Sequence, residues 1–156
     1  MKKATKKNDT YLWRSSRDKE LNYGWTDGSS GIALTFIKAY ECTGMVAYKQ
    51  FAIGALRSIP PAITDTNLSQ WQGLSGLGEV YLEAWRVLRE QEWLNRAGWI
   101  VQVIMQLKKK HPKYGNFWLV EHERQPVANF MIGNSGVMHF LLRYCYPQEI
   151  GFPMSV

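Results

Sequence analysis

The sequence predicts an all-α protein built from repeated helical hairpins. Three segments share the pattern Gly-x-Ser-Gly-aliphatic, and each is followed by an apolar stretch that ends in large side chains. Between these segments, apolar residues recur at spacings of three and four, which is the period of a helix with one buried face. No window alternates apolar and polar residues as a half-buried strand does. We therefore expect a glycine loop, a helix, a turn and a second helix to recur, giving roughly six or seven helices in all.

Each glycine loop is expected to open a helix. Glycines permit a tight turn and a close approach of two backbones, and a serine at this point can accept a hydrogen bond from an amide of the first turn. A hydrolase nucleophile would need the order Gly-x-Ser-x-Gly after a strand, and that order does not occur here. The loop glycines and the expected capping serines are Gly28, Ser30, Gly31, Gly73, Ser75, Gly76, Gly133, Ser135 and Gly136.

The helices between the loops are predicted from their apolar stripes. One stripe covers residues 47–59 and is ended by Pro60 and Pro61, and a second covers residues 93–107. The interval between successive loops is longer after Gly73, and we place the extra length in an excursion loop over residues 114–126.

Length and composition fit one compact domain. The chain has 156 residues, of which 46% are hydrophobic and 21% are charged, an apolar share too high for a disordered chain. No apolar run reaches the roughly 18 residues that a membrane span needs. We expect one domain over residues 21–156, preceded by a basic flexible tail or first helix over residues 1–20.

Charge argues against a nucleic-acid partner. The net charge is +6, of which +4 comes from the four lysines of residues 2–7, so the remaining body carries only +2. A second basic run, Lys108 to Lys110, follows a helical pattern and precedes Pro112. We interpret it as cations that stabilise a helix C-terminus, with a phosphate-binding patch as the alternative.

The two cysteines, Cys42 and Cys145, lie far apart and belong to no Cys-x-x-Cys or Cys/His cluster. This pattern indicates neither a disulfide framework nor a structural zinc site, and it is typical of a reducing, cytoplasmic compartment. Each cysteine falls within a predicted helix, so we expect it to be a small buried apolar residue.

Three ordered segments carry a resemblance to a known family. They are Gly24-Trp-Thr-Asp-Gly-Ser-Ser-Gly-Ile-Ala-Leu, Leu68-Ser-Gln-Trp-Gln-Gly-Leu-Ser-Gly-Leu-Gly-Glu-Val and Phe130-Met-Ile-Gly-Asn-Ser-Gly-Val-Met-His-Phe-Leu-Leu-Arg. Over residues 22–153 the chain resembles the C-terminal part of the lanthionine synthetase C-like (LanC-like) cyclases. These enzymes add a peptide cysteine thiol to a dehydrated serine or threonine. The resemblance implies a partial α/α toroid, with about half of the family's hairpin units missing from this sequence.

The resemblance also implies where a zinc ion would be held. In most members a cysteine precedes the first loop and a Cys-His pair precedes the second, and here Thr26, Trp71 and Gln72 take these positions. Threonine has no thiolate, tryptophan offers no lone pair, and a glutamine carbonyl is a weak zinc ligand. We therefore expect no metal cofactor, and the resemblance leaves open whether the chain is an enzyme.

The residues before the loop glycines correspond to groups that face the central cavity of the family's toroid. The candidate substrate-binding residues are Trp25, Thr26, Asp27, Trp71 and Gln72. Asp27 has a second interpretation, in which it orders its own turn. No catalytic residue is assigned.

Other polar residues are interpreted structurally. Glu121, His122 and Glu123 are consecutive and point in different directions, so we expect a solvated loop, and His139 in an apolar helix is expected to be a core histidine. Asp27 and Glu79 are the one carboxylate pair that a glycosidase mechanism could use, and the glycine-serine repeat gives that mechanism no support.

Three functional hypotheses follow. The first is a degenerate, zinc-free LanC-like pseudoenzyme of lanthipeptide-type peptide modification, which binds a precursor peptide or completes the toroid of a LanC-like or dehydratase partner. A homo-oligomer is an alternative assembly. The second hypothesis is zinc-independent lanthionine cyclisation, and the third is an α/α-toroid glycosidase. Neither nucleic acid nor a membrane span is expected.

Overall fold

The chain folds into paired helices with two short hairpins of strands. The computed structural model describes residues 5–7, 10–12, 23–26, 28–113, 115–120 and 123–153. Over these residues the fold is mostly helical, which confirms the all-α prediction. The helices are α1 Ser29–Thr43, α2 Val46–Arg57, α3 Leu74–Leu88, α4 Gln91–Gln106 and α5 Asn134–Cys145, and the strands are β1 Thr5–Lys7, β2 Thr10–Leu12, β3 Lys109–His111 and β4 Gly115–Phe117.

Three of these helices begin directly after a loop glycine, as predicted. We call α1, α3 and α5 the glycine-loop helices, because their N-caps are Gly28, Gly73 and Gly133. Helix α3 lies in the middle and packs against both α1 and α5. Every α3 residue from Leu74 to Ala84 is buried, so this helix forms the centre of the core.

The other two helices return along the outside of the glycine-loop helices. Helix α2 packs on α1, and α4 packs on α3 and α5. The predicted stripe of α4 is buried at Trp93, Ala97, Ile100 and Ile104, and the Trp93 ring stacks on that of Tyr81 with the ring centroids 6.2 Å apart. Among the described residues no helix is long and apolar enough to cross a membrane.

The chain after α4 differs from the prediction. Helix α4 ends at Gln106, and Lys109 and Lys110 lie in β3, which pairs antiparallel with β4. Lys109 and Lys110 therefore belong to a solvated hairpin strand, and the last turn of α4 contains no basic residue. Trp118 anchors the hairpin, because its buried indole Nε1 donates to the Ile104 carbonyl at 2.8 Å. This hairpin occupies part of the predicted excursion loop. The described residues contain five helices, whereas the sequence predicts six or seven.

The stretch that the sequence assigns to a tail or first helix contains strands. Strands β1 and β2 pair antiparallel, with Lys6 opposite Tyr11. The Tyr11 ring meets the Phe51 ring edge-on at 5.2 Å and lies against the Cα of Gly54, where a Cβ would clash with it. An aromatic contact on α2 therefore holds this part of the N-terminal stretch.

Both cysteines are exposed and free, so the prediction of small buried residues is wrong. Cys42 and Cys145 lie in the last turns of α1 and α5, where neighbouring helices no longer cover the surface. Helical periodicity alone did not reveal where packing along each helix stops.

Candidate functional site

The three glycine loops share one backbone contact. The second glycine of each loop, Gly31, Gly76 or Gly136, lies against the carbonyl oxygen of the residue six positions earlier in the chain. A Cβ at these glycines would lie 1.9, 2.1 and 2.1 Å from that oxygen, which is far inside contact distance. Only glycine fits, and this fixes how each loop enters its helix.

The capping role predicted for the serines is wrong. The N-cap positions belong to the extended glycines Gly28, Gly73 and Gly133, and none of the three helices has a side-chain cap. Ser30, Ser75 and Ser135 come two residues later, inside the first turn, where the backbone is already helical. Ser135 Oγ donates to the Ala128 carbonyl, whereas the buried hydroxyls of Ser30 and Ser75 have no hydrogen-bond partner among the described residues.

The first and second loops meet through their side chains. Gln72 Nε2 donates a hydrogen bond to Thr26 Oγ1 at 2.9 Å, although the residues are 46 positions apart. Trp71 is 45% exposed beside them, and the half-buried Trp25 ring packs edge-on against Phe152 at 5.5 Å. We call Trp25, Thr26, Trp71 and Gln72 the loop mouth. Asp27, the fifth candidate, lies outside the described residues.

The third loop is attached to the second through the backbone. The amides of Gln70 and Trp71 both donate to the Met131 carbonyl, at 2.9 and 3.1 Å. Asn129 Oδ1 in turn accepts from the Met131 amide at 2.7 Å and orders that loop as an Asx turn. The backbone at Trp71 is therefore held by the third loop, whereas the Trp71 side chain is exposed.

The side chains of the loop mouth do not fit a zinc ion. Thr26 and Gln72 contact each other, so the two positions are close enough to share a metal, but they offer a hydroxyl and an amide. Zinc in proteins is held by thiolate, imidazole or carboxylate, and Trp71 supplies no lone pair. Across the described parts of the chain, no group of three His, Cys, Asp or Glu residues is placed to hold a metal.

A layer of charged side chains links the three glycine-loop helices. Lys38, Glu83 and Arg143 each follow their loop glycine by ten residues, and they meet in space. Glu83 Oε1 lies 2.5 Å from Lys38 Nζ, and Glu83 Oε2 lies 2.6 Å from Arg143 Nη2. Burial raises the pKa of Glu83, but hydrogen bonds from Arg86, Lys38 and Arg143 outweigh it and lower that pKa from 4.5 to about 2. The carboxylate is therefore a structural anion.

A second polar cluster lies one turn closer to the loops. Glu79 and His139 share the sixth position after their loop glycines, and Glu79 Oε1 lies 2.7 Å from His139 Nδ1. Arg143 Nη1 binds the other Glu79 oxygen at 2.7 Å, and Gln70 Nε2 donates to the Gly136 carbonyl at 2.8 Å beside it. Sequence reasoning named Glu79 and His139 separately and did not predict that they pair.

Glu79 does not fit the carboxylate pair of a glycosidase. Its side chain is fully buried and held by Arg143 and His139, so it has no access to a scissile bond. Its candidate partner Asp27 lies outside the described residues. Glu121 and His122 also lie outside them, and Glu123 is exposed in its loop, as expected.

One sequence signal would have revealed the charged layer. Aligning the three units at Gly28, Gly73 and Gly133 places Lys38, Glu83 and Arg143 in register, with alternating charge. Residues that take equivalent positions in neighbouring repeats lie side by side in a stacked array. The helical pattern within each unit cannot show this, because it describes one helix at a time.

Comparison with known proteins identifies the family. A search of curated proteins gave no match. The family model of lanthionine synthetase C-like proteins matches residues 6–155, which is nearly the whole chain and includes all three glycine loops. The helical fold and the repeated loop geometry agree with that match. The chain therefore belongs to the lanthionine synthetase C-like family.

Proposed function

We propose that this chain is a zinc-free LanC-like protein that binds a peptide at the loop mouth. The observation that supports this most directly is the 2.9 Å hydrogen bond between Gln72 and Thr26 beside the exposed Trp71. Two loops distant in sequence converge there, at the positions that hold zinc in most members of the family. The same place thus presents polar groups and an aromatic surface instead of metal ligands.

The chemistry of the loop mouth suits a peptide backbone. A glutamine amide and a threonine hydroxyl each donate and accept hydrogen bonds, as backbone N–H and C=O groups do. An exposed indole adds a large apolar contact area with a polar N–H. Thr26, Trp71 and Gln72 carry no charge, which favours an uncharged peptide segment.

Ring closure requires an activated thiol, whereas peptide binding does not. A zinc-bound thiol is deprotonated near neutral pH, whereas a free cysteine thiol is mostly protonated. The side chains at the three family positions supply no such activation. We therefore propose peptide binding in the context of lanthipeptide-type modification, in the cytoplasm. The alternative activity is zinc-independent cyclisation, and its detection would replace this proposal.

A partner that extends the helical array is the second part of the proposal. The glycine-loop helices stack side by side, and helix α5 at one end carries exposed apolar residues, Met138 at 42% and Leu142 at 44%. Arrays of stacked repeats usually cover their terminal faces with polar capping units. An apolar terminal face favours a further LanC-like unit as its neighbour.

Calorimetry with a synthetic peptide tests the binding proposal. The probe is an uncharged peptide that contains one dehydroalanine and one cysteine. Trp71→Ala should weaken binding by about tenfold or more, since loss of an aromatic side chain that the bound peptide covers commonly costs about 2 kcal/mol. Gln72→Ala should weaken it less. Met45→Ala is the matched control, because Met45 is also an exposed apolar residue but lies beyond the far end of α1.

Two outcomes would contradict the proposal. Absence of binding, or equal affinity of the wild type and Trp71→Ala, would show that the loop mouth is not the peptide site. Mass spectrometry after thiol alkylation tests the alternative on the same mixtures. Ring closure leaves the peptide mass unchanged and blocks alkylation, and a rate above the protein-free control would establish an active cyclase.

A further inference from the structure

One face of helix α5 is exposed where the same face of its two sister helices is buried. The second, fifth and ninth residues after the loop glycine are Ser30, Ala33 and Ile37 in α1 and Ser75, Gly78 and Leu82 in α3, and all six are buried. The equivalents in α5 are Ser135, Met138 and Leu142, and all three are exposed. We call these three residues the α5 face.

The reason for this difference is visible in α3. Gly78 lies against the Phe140 ring of α5, with a Cβ at Gly78 meeting that ring at 2.4 Å. At this junction the fifth position of α3 thus receives the seventh position of α5. The α5 face is the equivalent surface with no following glycine-loop helix on it among the described residues.

The opposite end of the array carries the complementary surface. The seventh position is Val80 in α3 and Phe140 in α5, and both are fully buried. In α1 the seventh position is Thr35, which is exposed, as is Cys42 two turns later on the same side. We call Thr35 and Cys42 the α1 edge.

We propose that a second copy of this chain docks its α1 edge on the α5 face and continues the stack of glycine-loop helices. This deepens the second part of the proposed function by naming the partner. Residue sizes support the pairing, because the junction of α3 and α5 combines the smallest fifth residue, Gly78 of α3, with the largest seventh residue, Phe140 of α5. At the junction, the large Met138 would face the small Thr35 of the copy.

Charges at the junction are already neutralised. The tenth positions that approach each other are Arg143 and the copy's Lys38. Within its own chain Arg143 pairs with Glu79 and Glu83, and Lys38 pairs with Glu41 at 3.1 Å and with Glu83. Neither cation is left unpaired by docking, so the apolar contact of Met138 and Leu142 is free to drive association.

Sedimentation of the full chain at about 50 µM tests the proposal. The wild type should sediment at twice the 18.0 kDa chain mass or more. Met138→Asp and Thr35→Arg should each weaken association more than about tenfold, since each places a charge in the junction. Met45→Asp is the control for a new charge elsewhere on the surface. The helical signal in circular dichroism shows whether each variant is folded.

Mixing the two variants identifies the docking mode. One Met138→Asp copy and one Thr35→Arg copy retain a single intact junction between them, so the mixture should form a dimer although neither variant does alone. A monomeric wild type, or unchanged association of Met138→Asp, would overturn the proposal. So would unchanged association of Thr35→Arg, which would show that two α5 faces meet each other. Peptide affinity is measured separately on the same proteins, so failure of one proposal leaves the other standing.

Discussion

Glu83 and Arg143 take the same position in successive glycine-loop units, and their side chains form an ion pair with 2.6 Å between Oε2 and Nη2. Lys38 takes that position in the first unit and binds the other oxygen of Glu83. Both Glu83 and Arg143 are almost fully buried. The repeat therefore aligns opposite charges across three helices, and the anion of the middle helix holds the outer two.

Acid should destabilise the fold through Glu83. Its pKa is lowered to about 2 in the folded protein from an ordinary value of 4.5. A carboxyl with a lowered pKa stabilises the fold above its ordinary pKa, and this contribution is lost as the pH falls toward the folded value. The free energy of unfolding should fall between pH 4.5 and about 2, by roughly 3 kcal/mol from this group.

Urea unfolding at a series of pH values measures this dependence. Glu83→Gln should be less stable at neutral pH and should show a flatter profile over the acid range. Glu92→Gln is the matched control, since Glu92 also pairs with two arginines and has a lowered pKa but is 32% exposed. A profile for Glu83→Gln as steep as that of the wild type would contradict the role of Glu83.

Gly76→Ala should prevent correct closure of the second loop. The added Cβ would lie 2.1 Å from the Gln70 carbonyl oxygen, so the backbone of the loop would have to move. Gly44→Ala is the comparison, because Gly44 has φ of 69° and open space around it. Gly44→Ala should lower the free energy of unfolding by about 1 kcal/mol, the usual penalty for an alanine in the left-handed conformation. Thermal unfolding should show a much larger loss for Gly76→Ala, and equal losses would refute the close contact.

The sequence predicted the parts of the fold that repeat. The loop glycines marked the starts of α1, α3 and α5. A contact that leaves no room for a side chain requires glycine at the same position of each repeat, so the repeat is visible in the sequence. The short hairpin of β3 and β4 was missed, since three-residue strands are too brief to show an alternating period. Serine capping was also wrong, because the extended N-cap residue in each loop is the glycine itself.

The candidate site was predicted in part. The resemblance placed Thr26 and Gln72 together, and the structure has them hydrogen-bonded. The pairing of Glu79 with His139 and the packing of Phe152 on Trp25 were not predicted. Both depend on which faces of separate segments meet, and periodicity within one helix contains no information about that.

Restoring the family's ligand types should create a zinc site. The triple variant Thr26→Cys, Trp71→Cys and Gln72→His places two thiols and an imidazole where two side chains already meet at 2.9 Å. Three protein ligands with one open position are typical of catalytic zinc. We expect one zinc ion per chain by elemental analysis after dialysis.

Two controls make the zinc prediction specific. The wild type measures how much zinc the exposed Cys42 and Cys145 bind without the new ligands. The double variant that keeps Thr26 should bind zinc at least about tenfold more weakly, because one ligand is missing. If the triple variant retains no more zinc than the wild type, the two loops do not approach each other as described.

Phe152 should be a main anchor of the C-terminal segment. It is 7% exposed, its ring centroid lies 5.5 Å from that of Trp25, and the Lys38 and Arg143 cations lie 5.8 and 5.4 Å from its ring. One aromatic side chain thus contacts the first loop, α1 and α5 together. Phe152→Ala should lower the free energy of unfolding by about 3 kcal/mol, as for other buried phenylalanines.

The conservative variant separates ring chemistry from volume. Phe152→Leu keeps most of the buried volume but loses the aromatic face, so it should cost less than about 1.5 kcal/mol. Urea unfolding of both variants gives the two values, and emission from the tryptophans reports whether Trp25 becomes more exposed. A change below about 0.5 kcal/mol for Phe152→Ala would place this residue among ordinary surface positions. The segment would then not be held on the loop mouth by its aromatic ring.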